Sequence, residues 1–244
     1  MLLLALDTST TAITVALHDG SAVLAEVTTL DARGHAEHLA PGIARALAEV
    51  GAASTDVTDV AVGLGPGPFT GLRVGVVTAR TFALAVGARV HGLSSLDALA
   101  HAAVAGGEVR DGELLVATDA RRKEVYWATY GFAPSSAGGF SRLTDPAVSR
   151  PSDLPPEVAR LPTVGRGPQL YPDVLGRGIA ALLDVSGAAL AELVVARLAA
   201  ADAVDEQEPL YLRRPDAVPS VPSVPSVPSV PLVSAVPPGP SGSA

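Results

Sequence analysis

Three apolar runs of strand length, residues 2–6, 13–17 and 22–28, open the chain and are separated by a Thr/Ser turn and by the pair Asp19-Gly20. Runs this short, joined by turns this tight, predict a three-strand meander whose first strand is buried on both faces. The period then changes. Within residues 35–50, Leu39, Ile43, Leu47 and Val50 recur at spacings of four, four and three, which is the pattern of an amphipathic helix, although Pro41 weakens its first turns. A strand over 59–64, a helix over 70–86 with Thr70 as its N-cap, a strand over 89–93 and a helix over 95–105 follow. The order βββαβαβα is that of a ribonuclease H-like α/β layer fold.

Gly106, Gly107 and Gly112 mark a boundary, so residues 1–107 are expected to form one subdomain. Two strands over 113–118 and 124–132, a Gly/Pro/Ser-rich stretch and a helix near 187–201 make residues 108–214 a reduced second subdomain, too thin to repeat the first. Beyond Pro215, Pro219, Pro222, Pro225, Pro228 and Pro231 recur in a Pro-Ser-Val repeat. Proline lacks the amide donor and fixes φ, so residues 215–244 are expected to be an extended, disordered tail, either linker-like or a docking motif.

Composition removes whole classes of chemistry. With no cysteine among 244 residues, disulfides, thiol nucleophiles, thiolate zinc sites and iron–sulfur clusters are excluded. A formal charge of −8 argues against autonomous nucleic-acid binding, because neutralising phosphates needs a basic surface. The N-terminus lacks a basic segment and meets Asp7 after a short apolar run, and no uninterrupted apolar run of about 18 residues follows. The chain therefore reads as soluble and cytoplasmic, without a membrane segment.

Asp7 falls at the end of the first strand, before Thr8, Ser9, Thr10 and Thr11. A carboxylate beside a hydroxyl-rich turn could hold a metal ion and a nucleotide phosphate, and it could equally cap a tight turn. Residues 63–75 are glycine-rich but contain neither G-x-G-x-x-G nor G-x-x-x-x-G-K-[ST] in any frame. Pro66 and Pro68 remove amides that a phosphate cradle would use, which favours a rigid strand-to-helix turn. His35 and His38 lie three apart, yet no third ligand accompanies them. No G-x-S-x-G frames a nucleophilic serine. Arg121, Arg122 and Lys123 form a cationic run that suits a solvated hairpin turn or a contact to an anionic partner such as an RNA backbone.

Small residues stripe both long helices: Ala36, Ala40, Ala44 and Ala48 in the first, and Gly75, Ala79 and Ala83 in the second. A face this smooth lets another backbone approach closely. Since an α/β helix normally buries one face, each stripe is either covered by the chain's own sheet or left for a partner.

The blocks Ala5-Leu6-Asp7-Thr8-Ser9, Gly65-Pro66-Gly67-Pro68-Phe69-Thr70-Gly71-Leu72-Arg73-Val74-Gly75, Gly92-Leu93-Ser94-Ser95-Leu96-Asp97-Ala98-Leu99-Ala100, Asp119-Ala120-Arg121-Arg122-Lys123-Glu124-Val125-Tyr126 and Pro209-Leu210-Tyr211-Leu212-Arg213 resemble the TsaB (YeaZ, glycoprotease-like) family. The resemblance spans the chain from its first strand to the start of the tail. It implies an actin-like fold in two parts and a role in forming N6-threonylcarbamoyladenosine at position 37 of tRNAs that read codons starting with A. In that system the paralogue TsaD carries the metal and the transfer chemistry, and a small ATPase, TsaE, assists. TsaD uses two histidines four residues apart as metal ligands. Ser95 and Leu99 stand at those positions here, so the resemblance implies that this chain lacks the metal site.

A non-catalytic partner that docks the helices over 35–50 and 70–86 onto TsaD follows as the leading expectation. The face expected to meet it comprises Leu39, Ala40, Ile43 and Leu47 with Arg73, Val76, Ala79, Arg80 and Ala83. The same surface could form a homodimer when TsaD is absent, and tRNA would be reached only through the complex. No catalytic residue or cofactor is assigned; Asp7, Thr8, Ser9 and Thr10 are expected to be at most a vestigial turn for weak ATP or ADP binding, with a nucleotide at the TsaD interface as a variant. The alternatives are an active actin-like ATPase or phosphotransferase using Asp7, against which Ser9 in place of glycine argues, and a metallopeptidase, which lacks a ligand set.

Overall fold

The computed structural model describes residues 1–202 and 208–213; the proline-repeat tail lies outside the described residues. Strands β1 (Leu3–Asp7), β2 (Ala12–His18) and β3 (Val23–Leu30) form the meander, followed by α1 (His35–Val50), β4 (Asp59–Gly63), α2 (Phe69–Val86), β5 (Arg89–Leu93) and α3 (Ser95–Ala105). They build a sheet in the order β3-β2-β1-β4-β5, antiparallel across the meander and parallel from β1 to β5. Central β1 is buried throughout, and its alternation assigns Leu4 and Leu6 to one core and Leu3 and Ala5 to the other. This is the topology of the actin-like α/β fold.

The second sheet runs β10-β6-β7-β8, with β6 at Glu113–Asp119, β7 at Val125–Phe132, β8 at Phe140–Arg142 and β10 at Thr163–Val164; β9 (Ala147–Ser149) pairs with the other end of β7. Leu114 and Val116 of β6 face the core that includes Leu3 and Ala5, whereas Leu115 and Ala117 face a third cluster with Leu154 and Leu175. Short helices α4 (Pro156–Ala159) and α5 (Gly167–Leu170) belong to this outer layer. Helix α6 (Gly187–Ala199) returns to the first sheet, where Thr14 Oγ1 accepts the Gly187 N–H at 2.9 Å and a β-carbon at residue 187 would crowd the β2 backbone. Helices α3 and α6 thus lie between the sheets, while α1 and α2 cover the opposite face of the first sheet.

A buried carboxylate ties these layers together. Asp97 of α3 is fully buried and accepts from Tyr130 Oη (2.9 Å), Arg142 (3.0 and 2.6 Å) and Arg197 (2.9 Å), joining α3 to β7, β8 and α6. Ion pairs this enclosed need full hydrogen bonding, and this one has it.

At the start of α2 the cap differs from expectation. The N-cap is Pro68, without a side-chain cap bond, and Thr70 lies inside the first turn. Pro68 supplies the extended entry, and Leu72 N–H already reaches the Pro68 carbonyl at 3.0 Å.

Candidate functional site

Asp7 leaves β1 into a turn that folds back on its carboxylate. Oδ1 accepts the Ser9 N–H and the Ser9 hydroxyl, both at 2.7 Å, and Oδ2 accepts the Ser95 hydroxyl at 2.5 Å. Ser95 Oγ in turn accepts the Gly65 N–H at 3.0 Å, which ties the turn to the glycine-rich loop. The group is fully buried, and burial pushes its pKa up against the opposing hydrogen bonds from Ser95 and Ser9. Gly63 is required beside it, because a β-carbon there would overlap Asp7 Oδ2. Thr8 is committed as well: its hydroxyl donates to the Gly71 carbonyl at 2.7 Å, and a β-carbon at Gly75 would strike it.

The space next to this turn is lined by Ser9, Thr10, Thr11, His35, Thr118, Asp119, Arg121, Arg166 and Asp184. Its cavity of about 20 Å³ accommodates a water molecule. Both Asp7 oxygens are engaged within the protein, and Arg166 is held bidentately by Asp184 at 2.8 and 2.6 Å. Thr10 Oγ1 and Thr118 Oγ1 are buried without a hydrogen-bond partner.

The histidines go separate ways. His35 Nε2 lies 3.2 Å from the Thr10 carbonyl, which it meets as a donor in the matching tautomer, and His38 Nε2 lies 3.5 Å from Asp31. No group of three His, Asp or Glu among the described residues is placed to hold a metal ion. Leu99 is a core residue between the sheets, and Ser95 is the hydroxyl on Asp7.

Between α1 and α2 runs an apolar groove of about 610 Å³, lined by Ala40, Ile43, Ala44 and Leu47 on one side and Val77, Thr78, Thr81, Phe82 and Ala85 on the other. Of the face expected from sequence, Ala40, Arg73 and Arg80 are exposed, and Ile43 and Leu47 form the groove floor. Leu39, Val76, Ala79 and Ala83 are buried in the core beneath, so the Gly75-Ala79-Ala83 stripe packs on the chain's own sheet. The outward row is Val77, Thr81 and Leu84, with Leu84 86% exposed. Val77 and Leu84 escaped the sequence reading, although their i, i+7 spacing was available to it.

The segment 208–213 straps the start of α2. Leu210 N–H donates to the Leu64 carbonyl at 2.8 Å, and the Tyr211 ring lies 5.2 Å from that of Phe69. Arg73 covers Phe69 at 3.7 Å and donates to Tyr211 Oη at 3.3 Å, while Arg213 pairs with Glu124 beside the β6–β7 turn.

Comparison with known proteins fits this geometry. Residues 22–162 match the family of TsaD, tRNA N6-adenosine threonylcarbamoyltransferase. The tRNA threonylcarbamoyladenosine biosynthesis protein TsaB of Escherichia coli K12 is 34% identical over 233 residues, covering 87% of this chain and 95% of that protein. The chain belongs to the TsaB family. YeaZ from Pseudomonas aeruginosa superposes with a TM-score of 0.70 at 28% identity, over 86% of this chain and all of that one. An uncharacterized Mycobacterium leprae protein is 40% identical over 235 residues, 89% of this chain, and the chain spans 56% of that relative's length. Within the TsaB family, then, this chain carries at the Asp7 turn a closed hydrogen-bonded knot, and between α1 and α2 an open apolar groove.

Proposed function

We propose that this chain serves tRNA threonylcarbamoyladenosine biosynthesis as a non-catalytic subunit that docks its α1–α2 face onto TsaD and holds TsaD in an active arrangement, with TsaE assisting. The observation that carries the reading is the groove between α1 and α2 with its outward row of Val77, Thr81 and Leu84. A side chain as apolar as Leu84 gains most from being covered, at roughly 25 cal/mol per Å² removed from water. The same face supports self-association when TsaD is absent. The Asp7 knot supports the non-catalytic part of the reading: a fully buried carboxylate that accepts three hydrogen bonds from its own turn and from Ser95 is committed to holding the fold together. We assign the turn Asp7–Thr10 a vestigial role, limited to weak ATP or ADP binding in an opened form.

The test is reconstitution with TsaD, TsaE, the remaining pathway proteins and unmodified tRNA. Modification that requires this chain, while Asp7→Asn retains full activity, supports the proposal. Full modification without the chain, or loss of activity in a folded Asp7→Asn, contradicts it.

A further inference from the structure

The hairpin turn between β6 and β7 contains three consecutive residues in the left-handed region, Arg121, Arg122 and Lys123, at φ of 60°, 53° and 63°. An L-residue with a β-carbon pays roughly 1–2 kcal/mol for that conformation, which glycine avoids. Elsewhere among the described residues the chain follows this preference: nine glycines take positive φ, and Ala201 is the other exception. Three side chains are held at that cost, all cationic and including the only lysine of a chain of net charge −8. Although Arg121 pairs with Asp119 at 3.2 Å, the turn carries more positive charge than that partner offsets, which points to a use for the side chains themselves. All three are exposed.

The strap places this turn. Arg213 pairs with Glu124 at the turn, and two residues earlier Tyr211 packs against Phe69 and Arg73 in the first turns of α2. The strap thus links the turn, through Arg213 and Glu124, to the first turns of α2, through Tyr211. Arg121 also lines the same cavity as Ala32, His35 and Pro68, at the entries to α1 and α2, the two helices that carry the proposed docking face.

We infer that the Arg121-Arg122-Lys123 turn contacts RNA backbone phosphates when this chain is assembled with TsaD. The inference rests on the function proposed above, and it adds a direct RNA contact to a subunit whose overall charge opposes one. Guanidinium forks and an ammonium are the usual phosphate partners, and such contacts position an RNA without reading its sequence. A patch this small in an acidic chain contributes only when another protein holds the RNA nearby.

The test uses the full chain assembled with TsaD and an unmodified tRNA transcript. Replacing all three residues, Arg121→Gly, Arg122→Gly and Lys123→Gly, removes the charges and relieves the backbone at once, so the variant is expected to fold with an equal or higher melting temperature and to bind TsaD unchanged. The tRNA dissociation constant of the assembly should rise about tenfold at physiological salt, and the slope of log K against log salt should become shallower by about 1–2. Arg121→Lys with Arg122→Lys, which keeps the charge, should retain most of the affinity. An unchanged tRNA affinity and salt slope overturn the inference alone and leave the subunit reading standing. Loss of TsaD binding in the triple variant assigns the turn to a protein contact and also overturns it. Failure of the unaltered chain to assemble with TsaD overturns the reading beneath it and the inference together.

Discussion

At the residue scale the Asp7 knot sets the clearest expectations. Asp7→Ala leaves the Ser9 amide and the hydroxyls of Ser9 and Ser95 facing an empty acceptor position in the interior, which should cost about 2–4 kcal/mol, read by denaturant unfolding. Asp7→Asn keeps an acceptor for Ser9 and a partner for Ser95 and should cost less. Burial raises the Asp7 pKa, so the folded chain resists its ionisation, and wild type should lose stability relative to Asp7→Asn as pH rises through the ordinary carboxylate range to that raised value.

Asp59 behaves in the opposite sense. It accepts from His91 Nε2 and Thr58 Oγ1, both at 2.8 Å, and from Arg89, and these partners hold its pKa down against the desolvation that would raise it. A depressed folded pKa contributes stability above the ordinary carboxylate range and loses it as pH falls towards the folded value. Thermal unfolding between pH 3 and 7 should therefore show an acid-side decline in wild type that is smaller in Asp59→Asn. An equal decline in both would remove Asp59 from that role. Asp7 was legible in the sequence as a strand-end acid beside hydroxyls. Ser95 as its partner was not, because the contact spans 88 positions and depends on the parallel order β1-β4-β5, which brings the start of α3 to the end of β1.

At the element scale the helices separate by face. Val77→Glu with Leu84→Glu changes two exposed positions and should leave folding stability within about 0.5 kcal/mol of wild type while weakening TsaD binding more than tenfold. Ala79→Glu buries a charge under α2, where Ala79 is fully enclosed, and should unfold the chain. If Ala79→Glu stayed folded, the packing of α2 described above would be wrong. The extents of α1, β5 and α3 were legible to the residue, because apolar period, turn glycines and strand-like runs agreed in the first half. The phase of α2 was not: a small-residue stripe suits close packing on the chain's own sheet and on a partner equally. Here Thr8 and Leu6 settle it, since a β-carbon at Gly75 would meet both. Strands β8, β9 and β10 and helices α4 and α5 escaped reading because two to four residues carry no period, and only pairing with β6 and β7 defines the strands.

At the scale of the whole molecule, the two sheets enclose between them one apolar cluster that runs in sequence from Leu3 to Val194, held by Asp97 and its arginines, with further clusters on the outer faces of both sheets. Among the described residues, the α1–α2 groove is an outward apolar surface, and the β6–β7 turn is a strained, cationic one. The composition that first argued against an RNA-binding protein is compatible with the proposed contact, which a single cationic turn would make in an otherwise acidic chain. The most direct test is size-exclusion chromatography with light scattering on the chain mixed with TsaD, for wild type and for Val77→Glu with Leu84→Glu. The account predicts a stable heteromeric species with wild type and separate, folded components with the variant. A complex that survives the double substitution unchanged would contradict it.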